Sequence, residues 1–211
     1  MGKSQTALIR EFSLQTDPSG AAIADYLQAV KALKEAGWTS ESLKELARDD
    51  AQPPDIALGV LEEAAESVLR GAKRRNAGIP ELPWFETQLT LGSDTVDMAD
   101  LSLACNATLV VARRASRGAD YERGYRLEGA VFAMGQHLAG SDNDLLSAIG
   151  IVCKQKVLDL LRETALEKGD SESAAEYDAI RADVDKELEI HKNRSHNREP
   201  GLRDIIDTMR Q

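Results

Sequence analysis

One histidine of this chain lies inside a strongly helical pattern, and it is the residue best suited to acid–base chemistry. His137 follows Met134 and precedes Leu138 near the end of a predicted helix. Imidazole titrates near neutral pH, so His137 with a nearby carboxylate could act as a base in a pocket between helices. A histidine at a helix end also bonds the last carbonyls or complements the helix dipole. We favour the structural role and keep a small-molecule enzyme as the alternative.

The other residue types that do chemistry lack the spacing that a site needs. His191 and His196 are five residues apart in a polar segment, whereas a metal pair on a helix needs three or four. Asp142 and Asp144 stand where a helix begins, so we interpret them as caps. No nucleophile elbow, phosphate loop or dinucleotide fingerprint occurs in the sequence. The sequence therefore assigns no catalytic residue, cofactor or metal ligand.

Trp84 and Phe85 are the densest aromatic pair in a chain with only 4% aromatic residues. They follow Pro83, and a proline-bounded loop can display a tryptophan rigidly. Tryptophan is frequent in binding hot spots, so this pair is an interaction candidate. The competing interpretation, which scarce aromatics favour, is that the loop covers an open end of the helical stack and Trp84 plugs it.

A second interaction candidate lies in the last helix predicted, which Pro200 begins. Its apolar residues recur at helical spacing and either dock back onto the body or face a partner, including a second copy of the chain. They are Leu202, Ile205, Ile206 and Met209.

The elements that would position these residues are helices nearly throughout. Apolar residues recur every three or four positions, most clearly in the two helices of 119–168, which are joined at Ala139-Gly140-Ser141. A core poor in aromatics and rich in alanine also favours close helix packing. Only 7–14 and 89–91 could be brief strands, and we assign neither. We predict an all-α fold of about seven to eight helices, packed as antiparallel pairs in a tetratricopeptide-like or irregular helical bundle.

One long irregular segment, 78–92, interrupts the helical pattern because Pro80 and Pro83 forbid a regular helix there. We predict that the helical pattern resumes after a helix cap at Ser93, Asp94 or Asp97. We predict a single helical domain over 1–211. It is divisible into 1–77 and 93–192 around that loop, with 193–211 as a polar segment plus the closing helix.

Two turns resemble those of tetratricopeptide helix pairs. Gly118 to Gly124 and Gly169 to Ala174 each contain a Gly-Asp turn followed by a small residue, Gly124 or Ala174. In that family the small residue lets the two helices pack closely. The glycines are 51 residues apart rather than about 34, and the first copy carries an extra residue, Ala119.

A further resemblance, over about half of the chain, is to uncharacterised bacterial all-helical proteins. The phrases that carry it are Met134-Gly135-Gln136-His137-Leu138 and 145–151. This resemblance implies a fold and no activity, because that group has none assigned.

Charge and cysteine content narrow the class of function. A formal charge of −10 argues against nucleic acid as a partner and favours basic ones. No apolar run is long enough for a signal peptide or a membrane span, and Cys105 and Cys153 are expected to be buried free thiols of a cytoplasmic protein. A disulfide between their helices is the alternative. We therefore predict a non-enzymatic protein-interaction or scaffold module of unknown pathway, with self-association through the last helix as a further possibility.

Overall fold

The computed structural model describes residues 17–48, 55–83 and 86–196. These residues form seven α-helices, which confirms the all-α prediction. The helices are α1 (Ala22–Glu35), α2 (Ser40–Arg48), α3 (Asp55–Ala72), α4 (Leu101–Arg117), α5 (Tyr121–Ala139), α6 (Asp144–Glu167) and α7 (Ser171–His196). From α4 onward each helix packs against the next along the chain, and α1 and α3 pack on each other. One hydrophobic core runs through all of them.

Two small sheets accompany the helices, where the sequence analysis assigned none. Strand β1 (Asp17–Ala21) pairs in parallel with β2 (Arg74–Asn76), and β3 (Gln88–Leu91) pairs antiparallel with β4 (Asp94–Asp97). The second sheet is a hairpin closed by Gly92-Ser93, with Gly92 at φ 63°. Glycine followed by serine between two short runs is a hairpin signal. The irregular segment is therefore shorter than predicted, and Asp97, the last strand residue, caps a 3₁₀ turn (Met98–Asp100) before α4.

Two glycines face each other where α5 packs against α6. A Cβ built on Gly150 would lie 2.5 Å from the carbonyl oxygen of Gly135 and 2.4 Å from the backbone nitrogen of Ala139. A Cβ on Gly135 would lie 2.7 Å from the carbonyl oxygen of Gly150. All three distances are too short for real atoms, so the two backbones touch only because neither residue has a side chain.

The turns before α5 and α7 have the same hydrogen-bonding pattern. Asp120 accepts a hydrogen bond from the backbone N–H of Arg123 (3.1 Å), and Asp170 accepts one from that of Ser173 (3.0 Å). The residue before each aspartate is left-handed: Ala119 has φ 66° and Gly169 has φ 73°. Ala119 thus corresponds to Gly169 and is not an extra residue, so the turn recurs after 50 positions rather than 51.

Replacing Ala119 by glycine is expected to stabilise the protein. A left-handed residue with a Cβ costs about 1–2 kcal/mol, while glycine loses roughly 0.5–1 kcal/mol of backbone freedom. We expect Ala119→Gly to raise the free energy of unfolding by about 0.5–1 kcal/mol in urea denaturation. The reciprocal change, Gly169→Ala, should lower it by about 1 kcal/mol. A loss of stability in Ala119→Gly would contradict this account of the turn.

The contact between α6 and α7 contains buried polar groups, and α7 is longer than predicted. His191 was assigned to a polar segment, yet α7 continues to His196, and His191 is buried. Its Nε2 donates to the carbonyl oxygen of Asp144, 2.6 Å away. Lys154 is only 1% exposed and places its ammonium 2.6 Å from the carboxylate of Glu187. These bonds hold the last described turns of α7 on α6, which helical periodicity alone did not indicate.

The two cysteines meet between α4 and α6. Both thiols are buried and free, as predicted. They are hydrogen-bonded to each other, and this bond together with burial raises the pKa of the Cys153 thiol well above its usual range. Cys153 therefore stays a thiol.

Candidate functional site

The interaction candidates that the sequence analysis proposed all lie outside the described residues. They stay predictions, and the structure bears on them only through their neighbours. They are Trp84, Phe85, Leu202, Ile205, Ile206 and Met209.

The chain on either side of Trp84 and Phe85 is held by one side chain. The Nδ2 of Asn143 donates to the carbonyl oxygens of Pro83 (2.8 Å) and Glu86 (3.0 Å). The backbone N–H of Glu86 also donates to the Pro83 carbonyl, at 3.1 Å. Because Asn143 is only 1% exposed, these bonds are shielded from water. The two ends of the aromatic pair are thus tied to each other and to the start of α6.

Asn143 also caps α6, which corrects the prediction that Asp142 and Asp144 do so. Its Oδ1 accepts from the backbone N–H of Leu146 at 3.0 Å. An amide can cap with its oxygen and donate with its nitrogen at the same time, whereas an ionised carboxylate only accepts. Asparagine caps as well as aspartate does, so the cap was readable from the sequence. Its second role depends on carbonyls some 60 residues away, so the sequence did not indicate that role.

A cleft of about 430 Å³ opens beside this anchored segment. We call the segment 78–87 the aromatic loop and this cavity the loop cleft. Two exposed carboxylates, Glu81 and Asp142, line the cleft, and its described lining contains no lysine or arginine. The full lining is Asn76, Ala77, Gly78, Ile79, Pro80, Glu81, Leu82, His137, Gly140, Ser141, Asp142 and Asn143. The cleft is therefore acidic.

His137 forms part of the wall of the loop cleft, but its ring is engaged in a structural bond. Its Nδ1 lies 2.7 Å from the hydroxyl of Tyr26 on α1, and the ring also bonds the backbone of Arg74 in β2. Burial raises the pKa of Tyr26 well above its usual range, so this hydroxyl keeps its proton and donates to Nδ1. Burial lowers the pKa of His137, and the Arg74 bond opposes this in part. The neutral ring of His137 thus joins α5 to α1 and β2 by hydrogen bonds. Its structural role is therefore different from the two roles suggested by its position at a helix end.

A second cavity, of about 190 Å³, lies at the opposite end of the α5–α6 pair. We call it the glutamate cavity, because it contains Glu128, a carboxyl that is only 3% exposed. Burial raises the pKa of Glu128 to about 7, and the ammonium of Lys168 opposes that shift. The lining is Ser116, Tyr121, Tyr125, Glu128, Leu161, Thr164, Ala165, Lys168, Asp170, Ser173 and Tyr177.

The sequence analysis did not single out Glu128, although a signal was present. Gly124, Leu127, Glu128 and Val131 occupy positions i, i+3, i+4 and i+7 and share the buried face of α5. A carboxylate on an apolar face is rarely fully buried without a partner, so it marks an unusual environment.

A further concavity is an open groove of about 760 Å³ between α1 and the β3–β4 hairpin. Its rim carries Lys31, Lys34, Glu35 and Glu63, which are charges of both signs. Lys34 is already paired with Asp100 at 2.5 Å, outside the groove lining. The groove therefore presents neither a consistent charge nor convergent reactive groups.

No protein-family model, curated protein or solved structure matches this chain. Among residues 17–48, 55–83 and 86–196, no helix is long and apolar enough to cross a membrane. Within those same ranges, no group of three or more His, Cys, Asp or Glu side chains is arranged so that it could hold a metal ion.

Proposed function

We propose that this chain is a non-enzymatic protein-interaction module that binds its partner with the aromatic loop and the loop cleft beside it. The observation that carries the proposal is the pair of hydrogen bonds from Asn143 to the carbonyls on either side of Trp84 and Phe85. A loop fixed at its base loses less conformational freedom on binding than a free one. An aromatic pair whose flanking residues, Pro83 and Glu86, are anchored in this way is therefore suited to a binding hot spot.

The charge of the loop cleft supports a basic partner segment. Glu81 and Asp142 are exposed carboxylates, and His137 is neutral at physiological pH because burial lowers its pKa. The net charge of −10 would also steer a basic partner toward the protein. We propose that a lysine- or arginine-bearing segment enters the cleft while the aromatic pair packs on its apolar side chains.

The alternative of an enzyme with His137 as its base has less support. A general base needs a free lone pair within reach of the substrate proton. The Tyr26 hydroxyl occupies Nδ1 of His137, and Tyr26 itself is completely buried. We assign this ring a structural role for the same reason.

Two further parts of the proposal concern the class of module and its location. The matching turns at Ala119-Asp120 and Gly169-Asp170, 50 residues apart, support a tetratricopeptide-like relation between the pairs α4–α5 and α6–α7. The two buried free thiols are typical of a cytoplasmic protein.

Trp84→Ala is expected to weaken partner binding by about tenfold or more, because truncating a hot-spot residue costs about 2 kcal/mol. The partner would first be identified by co-purification with the wild-type chain and then titrated against purified variants in a calorimeter. The thermal midpoint of Trp84→Ala should stay within a few degrees of the wild-type value. Unchanged affinity, or loss of the folded state, would reject the aromatic loop as the binding element.

Two matched comparisons separate the loop from general effects. Asn143→Ser keeps a good helix cap but removes the Nδ2 donor, so it should weaken binding even though Trp84 is intact. Glu81→Lys should weaken binding of a basic partner, whereas Glu45→Lys, the same charge change at an exposed position of α2, should not. Equal effects of the two charge reversals would show that only net charge matters, which contradicts a site at the loop cleft.

A further inference from the structure

Glu128 is an unusual group to find inside a helical bundle, because none of the residues that the structure describes is hydrogen-bonded to its carboxylate. It is 97% removed from solvent (3% exposed), yet no described residue donates a hydrogen bond to its carboxylate or forms an ion pair with it. Burying a carboxylate without a partner costs several kcal/mol, so such groups are rare in stable cores. Its side chain reaches a cavity rather than packed atoms, which leaves space for a ligand to supply the missing donor.

The walls of the glutamate cavity are aromatic to an extent that the rest of the chain is not. Tyr121, Tyr125 and Tyr177 all line it, although the whole chain has only four tyrosines. The faces of aromatic rings carry partial negative charge and attract cations. One of these rings already does so, since the ammonium of Lys168 lies 4.3 Å from the ring centroid of Tyr121.

The charged groups that line the cavity leave room for one more positive charge. They come from three places: Glu128 on α5, Lys168 just after α6, and Asp170 in the turn before α7. When Glu128 is ionised, the two carboxylates and the single ammonium leave one net negative charge. This charge would repel an anionic ligand, whereas a ligand with one positive charge would neutralise it.

The size of the cavity and its hydroxyl groups narrow the ligand further. A cavity of about 150 Å³ takes a benzene-sized molecule, so 190 Å³ suits an organic group of similar size. Ser116 and Thr164 contribute hydroxyl oxygens that can accept hydrogen bonds from an ammonium. Leu161 and Ala165 provide an apolar surface for a short alkyl chain.

We propose that the glutamate cavity is a binding site for a small protonated alkylamine, whose ammonium is hydrogen-bonded by the Glu128 carboxylate and whose body lies among Tyr121, Tyr125 and Tyr177. The ammonium supplies the donor that Glu128 lacks, and the rings stabilise its charge. The site is separate from the aromatic loop, because it lies at the other end of the α5–α6 pair. Whether or not an amine binds in the glutamate cavity, the protein-interaction proposal for the aromatic loop is unaffected.

Binding at this site has to be linked to proton release. The pKa of Glu128 is raised to about 7, so the carboxyl is mostly neutral at pH 6 and mostly ionised at pH 8. Only the ionised form attracts an ammonium. The apparent Kd is the intrinsic Kd divided by the ionised fraction, which gives about tenfold weaker binding at pH 6 than at pH 8. Lys168, Asp170 and the three tyrosines are the other titratable groups that line the cavity.

The experiment is a titration of the full chain, labelled with nitrogen-15, with n-butylammonium chloride at constant ionic strength. We expect amide shifts confined to the residues around the glutamate cavity, saturable binding, and about a tenfold rise in Kd from pH 8 to pH 6. n-Butanol, which has the same shape without the charge, should bind at least tenfold more weakly. Comparable binding of the alcohol, or shifts centred elsewhere on the protein, would overturn the proposal.

Glu128→Gln supplies the decisive variant because it keeps the shape of the side chain. We expect it to fold, as its amide spectrum will show, and to bind butylammonium at least tenfold more weakly at pH 8. Glu122→Gln, an exposed change on the same helix with the same loss of charge, should bind like the wild type. If Glu128→Gln kept wild-type affinity, the carboxylate would not be the recognition group and the proposal would fail.

Discussion

Glu128→Gln is expected to raise the free energy of unfolding by about 3 kcal/mol at pH 8 and to leave it nearly unchanged at pH 4. In the folded protein burial raises the pKa of Glu128 to about 7, while the ordinary value is 4.5. Each unit of difference corresponds to about 1.36 kcal/mol between the two protonation states. The wild-type protein therefore carries a cost at high pH, where a buried carboxylate must be ionised, and glutamine removes it.

The sign of the pH dependence follows from proton binding. Between pH 4.5 and 7 the folded state holds the Glu128 proton and the unfolded state has lost it, so this group makes the wild type less stable as the pH rises through that window. Above about pH 7 both states are ionised and the difference between wild type and Glu128→Gln should stop growing. Urea denaturation at a series of pH values from 4 to 8.5 would measure it.

The free energy of unfolding has to be compared between the wild type and Glu128→Gln at each pH, because His137 changes stability with pH in the opposite direction to Glu128. Burial lowers the pKa of His137 below its ordinary value of 6.5, so its contribution is present above that pH and is lost as the pH falls below it. This contribution is common to the wild type and Glu128→Gln and cancels in the difference. Glu122→Gln, exposed on the same helix, should show no comparable trend. A flat difference curve for Glu128→Gln would mean that its carboxyl is solvated and not buried as described.

The helices were predictable because their information is local. Apolar residues three or four apart define one face of a helix, and the buried residues Ile23, Tyr26, Val30 and Leu33 of α1 follow that rule. The residues that form turns carry equally local information, but the hairpin and the equivalence of the two aspartate turns were not predicted from it. Gly92-Ser93 between two short runs that contain β-branched residues indicates a hairpin. The left-handed position taken by Ala119 disguised the equivalence of the two aspartate turns.

The candidate sites were less predictable because they join residues that are far apart in the sequence. Asn143 holds Pro83 and Glu86 across about 60 positions, and Tyr26 reaches His137 across 111. The spacing of apolar residues along the chain does not specify which distant residue such a side chain will bond. Glu128 differs, since its place on an apolar face was visible in the sequence. What the sequence could not indicate is the cavity that Glu128 lines, which depends on four helices together.

A common scaffold explains how one short chain can hold two separate sites. The helices α5 and α6 touch at Gly135 and Gly150, and each cavity is lined by residues at one end of this pair. The loop cleft lies where α5 ends and α6 begins, and the glutamate cavity lies where α5 begins and α6 ends. Any change that pushes these helices apart should therefore alter both sites at once.

Gly150→Ala is expected to cause the largest loss of stability, about 3 kcal/mol or more. The added Cβ would lie 2.4–2.9 Å from three backbone atoms, namely the nitrogen of Ala139, the oxygen of Gly135 and the carbonyl carbon of Leu138. Backbone atoms cannot move aside as a flexible side chain can, so the helices must separate along their contact. Overpacking of this kind costs about 1–3 kcal/mol and more where nothing can yield. Urea denaturation monitored by circular dichroism would measure the loss.

Two comparisons test whether close backbone contact is the cause. Gly59→Ala, on α3 where an added Cβ meets nothing within 4 Å, should gain about 0.5–1 kcal/mol from helix propensity. Gly135→Ala removes the other glycine of the same contact and should also destabilise the protein. Because either change alone separates the helices, the double variant should lose less than the sum of the two single losses. Strictly additive losses would show that the two glycines act independently, and the shared contact between α5 and α6 would then not be what stabilises the pair.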